Sequence, residues 1–150
     1  MSTPRVNEIT WLLFRVVVGL LFTCHGLASV FGLLGGSRGT GEPVAVGLWP
    51  NWYAGLIQLV CGALVLVGLG TRPAAILASG SMAYAYFVVH QPEGLMPIEN
   101  GGVTPALYAW SFLLIAVVGG GPWSIDALIR NQRASDPAVT EPKATAKATA

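Results

Sequence analysis

The sequence predicts an all-α membrane protein, polytopic, with four transmembrane helices packed as a bundle. Three observations lead to that prediction. Apolar residues make up 53% of the chain and charged residues only 10%, whereas soluble domains usually carry about 25% charged residues. The mean hydropathy is +0.62. The apolar residues fall into long segments separated by short polar stretches, as expected of a chain that lies in lipid.

Each apolar segment approaches the length that a helix needs to cross a bilayer, which is about 20 residues. The expected spans are 9–34, 52–70, 74–89 and 104–119. Backbone groups in lipid must pair within the protein, so these spans are expected to be helices. Pro73 suits the first position of the third helix.

The four spans belong to one membrane domain, 9–130, which follows a short N-terminal segment, 1–8. A short interfacial helix is expected at the end of this domain, starting at Pro122 with Asp126 in its first turn. The tail, 131–150, is low in complexity and is expected to be disordered in the cytoplasm.

The distribution of basic residues predicts the orientation. Arginines at 5, 72, 130 and 133 all fall on one side of the expected membrane, with Lys143 and Lys147 further along. Arg38 is the only basic residue on the other side, beside Glu42, Glu93 and Glu99. Because positive charge stays inside, both termini are expected in the cytoplasm. The expected location is a bacterial cytoplasmic membrane, crossed several times.

Composition excludes several functions. A net charge of +1 argues against nucleic-acid binding, which needs a clustered basic face. Cys24 and Cys61 are too few for a disulfide scaffold, and their pairing is left open. No phosphate loop, Ser-His-Asp set or metal-ligand pair is present, and no metal is expected. A signal peptide is disfavoured because Arg15 interrupts the first apolar segment.

Two polar residues inside the first span are candidate functional residues. Arg15 either extends to the cytoplasmic headgroups or binds an anionic or carbonyl-bearing group, such as a quinone head, between helices. His25 either bonds to a backbone carbonyl or takes part in quinone or proton binding. A haem held by His25 and His90 is disfavoured, because the two residues fall at different expected depths.

Several motifs resemble the DoxX family of bacterial membrane proteins. The first is Arg15 followed by Gly19-Leu-Leu-Phe22 and His25-Gly-Leu27. The others are Thr71-Arg-Pro-Ala-Ala75, Ala85-Tyr-Phe87 with His90, Pro97-Ile-Glu-Asn-Gly-Gly102 and Gly121-Pro-Trp-Ser-Ile-Asp126. The resemblance covers roughly 10–130 and implies a four-helix membrane protein. The DoxX family takes its name from a subunit of a thiosulfate:quinone oxidoreductase.

The resemblance implies a redox-linked subunit that interacts with a quinone. The candidate binding residues are Arg15, His25, Gln58, Tyr86 and His90. Members of the family often carry Glu where Gln58 stands and Glu where Val103 stands, and a Lys usual after the His-Gly pair is missing. Independent catalysis is therefore less favoured than a subunit role within a quinone-linked oxidoreductase.

The chain shows no redox cofactor site of its own, so electrons must come from a membrane or redox protein partner. Catalytic residues stay unassigned, as do the substrate and the oligomeric state, a homo-oligomer included. The alternative function is a structural accessory or chaperone subunit of a larger membrane complex, which does no chemistry.

Overall fold

A computed structural model describes residues 3–135, and within them the fold is all-α, with no strand. The helices are α1 (Thr3–Phe31), α2 (Asn51–Val67), α3 (Thr71–Tyr84), α4 (Val103–Val118) and α5 (Ile125–Ala134). A π-helical segment, Ala85–His90, continues α3 without a break. Single 3₁₀ turns lie at Ser37–Gly39 and Gln91–Glu93.

Helices occupy all four expected spans, and α2 and α4 each start within one residue of the expected position. The first span differs most: α1 begins at Thr3 instead of 9 and ends at Phe31 instead of 34. It ends early because Gly32 (φ 69°) and Leu34 (φ 57°) adopt left-handed backbone conformations, which an α-helix does not accommodate.

Length and composition single out one helix in the described part of the chain. Arg5–Phe31 is long and apolar enough to cross a membrane. The helices α2 and α4 are also apolar, but they contain only 17 and 16 residues. Their length alone does not establish that they cross a bilayer.

Glycines bring α1 and α2 into close contact. A Cβ at Gly19 would lie 2.7 Å from the backbone nitrogen of Leu66, and one at Gly26 would collide with the backbone of Leu59. On α2, Gly62 lies equally close to Thr23. These small residues form the face along which α1 and α2 pack.

The core lies between this α1–α2 pair and the α3–α4 pair. Phe22 of α1 is fully buried against Phe112 of α4, with ring centroids 4.5 Å apart. Ala75 and Ala78 of α3 are fully buried beside them, and the Ser79 hydroxyl donates to the carbonyl of Ala109 on α4 at 2.8 Å. The small side chains of α3 allow α4 to approach closely.

The helix α5 lies against the turn between α2 and α3. Ser124 caps it, since its hydroxyl oxygen accepts a hydrogen bond from the N–H of Ala127 at 3.2 Å. The N–H of Asp126 donates to the carbonyl of Gly68 at 2.9 Å. The helix extends to Ala134, four residues beyond the expected boundary at 130. The tail 136–150, expected to be disordered, lies outside the described residues.

Candidate ligand-binding site

A cavity of about 560 Å³ lies among the four long helices, in the half of the bundle next to the 32–50 and 91–102 loops. All four helices contribute to its wall, and so does the π-helical segment. About half of its lining side chains are apolar, but most of the lining surface is apolar. The polar lining side chains on the helices include His25, Ser29, Gln58, Ser81, Tyr84, His90, Thr104 and Tyr108. This volume is typical of sites for small organic ligands, which are commonly 300–1,000 Å³.

His25 presents its imidazole to this cavity from α1. The ring meets the edge of the Tyr108 ring, with centroids 5.9 Å apart and an interplanar angle of 89°. Within residues 3–135 its nitrogens form no hydrogen bond, and the side chain is exposed. The expected alternative, a buried imidazole bonded to a backbone carbonyl, is therefore not what the structure shows. Both ring nitrogens are free to bind a ligand.

Gln58 lies on α2 and lines the same cavity. Its Oε1 atom is buried and has no hydrogen-bond partner among the described residues. A buried amide oxygen without a donor costs about 1–3 kcal/mol. A ligand that donates a hydrogen bond to this oxygen would recover that cost. Because the oxygen itself has almost no accessible surface, the Gln58 side chain must turn toward the cavity to accept that bond.

His90 is the third predicted binding residue on the cavity wall, and a backbone contact orients it. Its Nδ1 lies 2.9 Å from the carbonyl oxygen of Asn100. Because a carbonyl oxygen only accepts, Nδ1 must carry the proton. In the neutral ring Nε2 is then an acceptor. The π-helical segment places His90 here, and such segments are frequent at functional sites.

The loop that holds His90 depends on Asn100, which is 5% exposed. Its amide nitrogen donates to the carbonyl of Gly94 at 2.7 Å, and its amide oxygen accepts from the N–H of Gly102 at 2.8 Å. Tyr86 supports the same loop from outside the cavity, donating to the carbonyl of Leu95 at 3.2 Å. Tyr86 is thus the predicted site residue that holds the loop instead of lining the cavity.

Arg15 also lies outside the cavity, and it is 1% exposed. Its guanidinium donates to the carbonyls of Val65 and Leu66 at 2.5 and 2.7 Å, and to that of Trp123 at 2.8 Å. Neither expected arrangement of this side chain is observed. Arg15 instead caps the C-terminus of α2, where the helix dipole favours a cation.

Arg15 and His25 are therefore not brought together. Ten residues separate them on one helix, which corresponds to about 15 Å along its axis. Arg15 lies at the end of the bundle that holds α5, and His25 lies toward the opposite end. The structure divides the five candidate residues into three on the cavity wall and two in supporting positions.

Asp126 completes the polar contacts at the α5 end. Its carboxylate accepts hydrogen bonds from the N–H of Gly70 at 2.8 Å, the N–H of Thr71 at 2.9 Å and the hydroxyl of Thr71 at 2.8 Å. Burial raises the pKa of Asp126, but these hydrogen bonds and the charge of Arg130 outweigh it, leaving that pKa below its ordinary value.

Sequence reasoning did not identify Tyr108 or Asn100 as part of the site. Tyr108 lies on α4 and contacts both His25 and Phe22 in the cavity wall. A tyrosine within an apolar span was a usable signal, because its hydroxyl needs a polar partner. Asn100 gave no comparable signal, since Asn-Gly-Gly is common in ordinary turns.

The cysteines and the possible metal ligands of residues 3–135 lie outside the contacts described above. Both cysteines, Cys24 and Cys61, are free thiols. No cluster of three or more His, Cys, Asp or Glu side chains suitable for a metal ion occurs there.

Comparison with known proteins places the chain in a family. The DoxX family model matches residues 10–91. An uncharacterized protein of Haemophilus influenzae is 35% identical over 119 residues, covering 75% of this chain and 84% of that protein. An uncharacterized membrane protein of Mycobacterium tuberculosis is 29% identical over 126 residues, covering 75% and 76%. No solved structure matches the chain. Because the family model spans more than half of the sequence and the motifs agree with it, the chain belongs to the DoxX family.

Proposed function

We propose that this protein is a four-span subunit of the bacterial cytoplasmic membrane that binds a quinone in the cavity and works with a redox partner. The observation that carries the proposal is Gln58 Oε1, a buried acceptor without a partner among the described residues, on a side chain that lines the cavity together with two histidines. The ring of a quinone suits a largely apolar wall, and in its reduced form, the quinol, the hydroxyls can donate to an acceptor of this kind.

The multi-span arrangement is supported by the outer surfaces of the helices. Large apolar side chains are exposed on every long helix, among them Leu13, Leu20, Val60, Ile76, Leu107 and Trp110. Soluble monomers rarely expose continuous apolar surface of this kind. A 17-residue helix rises about 26 Å, and a slight thinning of the bilayer accommodates the remaining mismatch at modest cost.

The distribution of basic residues supports an orientation with both termini in the cytoplasm and the 32–50 and 91–102 loops outside. Single cysteines at Ser37 and Arg130, introduced after replacing both native cysteines by alanine, test it. A membrane-impermeant maleimide added to intact cells should label the cysteine at position 37 and not the one at 130. Labelling of both, or of 130 alone, would overturn the orientation.

The histidines and Gln58 have separate roles in the proposed site. His90 Nε2 and Gln58 accept hydrogen bonds from hydroxyls of the reduced ring, while His25, whose nitrogens have no partner within residues 3–135, holds or accepts a proton at a ring oxygen. A quinone, when bound, provides two-electron chemistry coupled to protons. The electrons come from the partner, because no redox group is evident in the chain.

The direct test is a titration of the protein purified in detergent with a quinone and with its reduced quinol. His25→Ala and Gln58→Leu should each weaken quinol binding by roughly tenfold, the loss expected when one buried hydrogen bond to the ligand is removed. Tyr86→Phe, which changes a residue outside the cavity, should bind within about twofold of the wild type. If the wild type binds no quinone, the proposal fails and the structural accessory role is favoured.

A further inference from the structure

One glycine of the bundle has no packing explanation. Gly19, Gly26, Gly55 and Gly62 each leave no room for a Cβ, because the neighbouring helix occupies that space. Gly80, in the interior of α3, has ordinary helical geometry, and a Cβ there would meet nothing within 4 Å. Glycine inside a helix costs about 1 kcal/mol relative to alanine. Close packing against a neighbouring helix, which explains the other four glycines, does not explain Gly80.

The open space beside Gly80 belongs to the cavity. Gly80 lines it together with Ile76, Leu77 and Tyr84, which recur at helical spacing along one face of α3. Ile76 and Leu77 are 62% and 53% exposed, so this wall of the cavity is also part of the outer surface. On α2 the exposed ring of Tyr53 faces the same space.

On the side of the cavity between α1 and α4, aromatic rings contact one another. There the Phe22 ring lies 5.1 Å from that of Tyr108, and His25 meets the same tyrosine at 5.9 Å. The cavity is therefore covered by aromatic rings between α1 and α4. Between α2 and α3 the Trp49 ring, 5.5 Å from Tyr53 and 6.3 Å from Tyr84, covers only the end next to the 32–50 loop, and the exposed side chains of Ile76 and Leu77 and the space beside Gly80 remain open. We name this gap, formed by Tyr53, Ile76, Leu77, Gly80 and Tyr84, the α2–α3 opening.

We propose that the cavity takes a ligand with a polar ring and a long apolar tail, and that the tail leaves through the α2–α3 opening past Gly80 into the lipid. This inference rests on the proposed function and specifies its substrate class. Two polar side chains that line the cavity, His25 and Gln58, carry groups without partners among the described residues, whereas the α2–α3 opening is lined by apolar and aromatic side chains. That arrangement matches an amphipathic molecule that enters sideways from the bilayer.

The chain offers a matched set of variants for the test. Gly80→Ala adds only a methyl group into open space and should fold like the wild type. Ala63→Leu, at an exposed position of α2 outside the cavity, is the control that should bind like the wild type. Gly80→Leu and Gly80→Phe place larger groups where the tail would lie, on a helix that tolerates them. Two probes share one ring, a benzoquinone with a ten-carbon tail and the same benzoquinone without the tail.

The expected result is selective. In Gly80→Leu the affinity for the tailed quinone should fall by about tenfold or more, the effect of a few misplaced methylenes in a fitted pocket. The affinity for the tail-free quinone should stay within about twofold. If the wild type binds both probes and Gly80→Leu changes neither, this inference is overturned while quinone binding stands. If the wild type binds neither probe, the proposed function fails, and this inference with it.

A second measurement needs no variant and so does not depend on its folding. A tailed quinone with a photoreactive diazirine at the end of the tail is bound to the wild type and illuminated. Labelled peptides should come from the α2–α3 opening, at Tyr53, Ile76 or Leu77. Labelling confined to α1 and α4 would contradict the proposed path of the tail.

Discussion

Replacing Arg15 by methionine should destabilise the protein by on the order of 2–4 kcal/mol. Methionine keeps the apolar stem of the side chain and removes only the guanidinium. Of the carbonyls that Arg15 binds, the Val65 oxygen keeps a hydrogen bond from the N–H of Gly68 at 3.2 Å. Among residues 3–135, those of Leu66 and Trp123 have no other donor.

The magnitude follows from these contacts. Hydrogen bonds measured inside membrane proteins average about 0.6 kcal/mol, so three of them set the lower bound near 2 kcal/mol. Each buried carbonyl left without a donor costs about 1–3 kcal/mol, which sets the upper end for two of them. The substitution also removes the unfavourable burial of the guanidinium charge, which offsets part of the loss. The expected destabilisation therefore lies in the lower part of the range set by these two bounds.

The assay is unfolding of the purified protein in mixed micelles, followed by circular dichroism. Arg72→Met is the matched control. Arg72 is exposed, and within residues 3–135 its side chain donates one hydrogen bond, of 3.3 Å, to the carbonyl of Val117. It should change stability by less than about 0.5 kcal/mol. Equal stability of the two variants would refute the capping role that we assign to Arg15.

Three other predictions use the same unfolding assay. Gly26→Ala should destabilise the protein by at least about 2 kcal/mol, because the added Cβ would collide with the backbone of Leu59. Gly80→Ala should leave the stability unchanged or raise it by up to about 1 kcal/mol. Equal effects of the two substitutions would contradict the packing described for α1 and α2. The lowered pKa of Asp126 means that its carboxylate stabilises the fold above the ordinary aspartate pKa of about 4, and that this contribution disappears as the pH falls through the lower folded value. The stability difference between wild type and Asp126→Asn should therefore shrink on acidification below about pH 4, and a pH-independent difference would count against it. Asn100→Ala should cost about 1–2 kcal/mol and make the 91–102 loop more sensitive to a protease, an effect that Gln91→Ala should not share.

The positions of the helices could be predicted from the sequence because apolar length and glycine or proline boundaries are local signals. The starts at Asn51 and Val103 illustrate this. The start of α3 shows the limit. Pro73 was expected at the first helical position, yet the helix begins at Thr71. The reason is Asp126, 55 residues further along the chain from Thr71, whose carboxylate accepts hydrogen bonds from the N–H groups of Gly70 and Thr71.

The candidate site was partly predictable for the same reason. A histidine or glutamine within an apolar span is conspicuous, and His25 and Gln58 both line the cavity. Arg15 was equally conspicuous, but its partners are backbone carbonyls of α2 and of the segment before α5. Carbonyls carry no sequence signal, so the packing of helices decides whether a polar residue in a span binds a ligand or another part of the chain.

The contacts of α5 have a consequence for how the protein is made and handled. The Asp126 carboxylate, which binds the α2–α3 turn, and the Trp123 carbonyl, which binds Arg15, are among the last parts of the described chain to leave the ribosome. The α2–α3 turn and Arg15 are therefore synthesised before these partners. A reporter protein fused after Gly121 would be attached to an incomplete bundle and could misreport its topology, whereas a fusion placed beyond Ser135 leaves every one of these contacts intact.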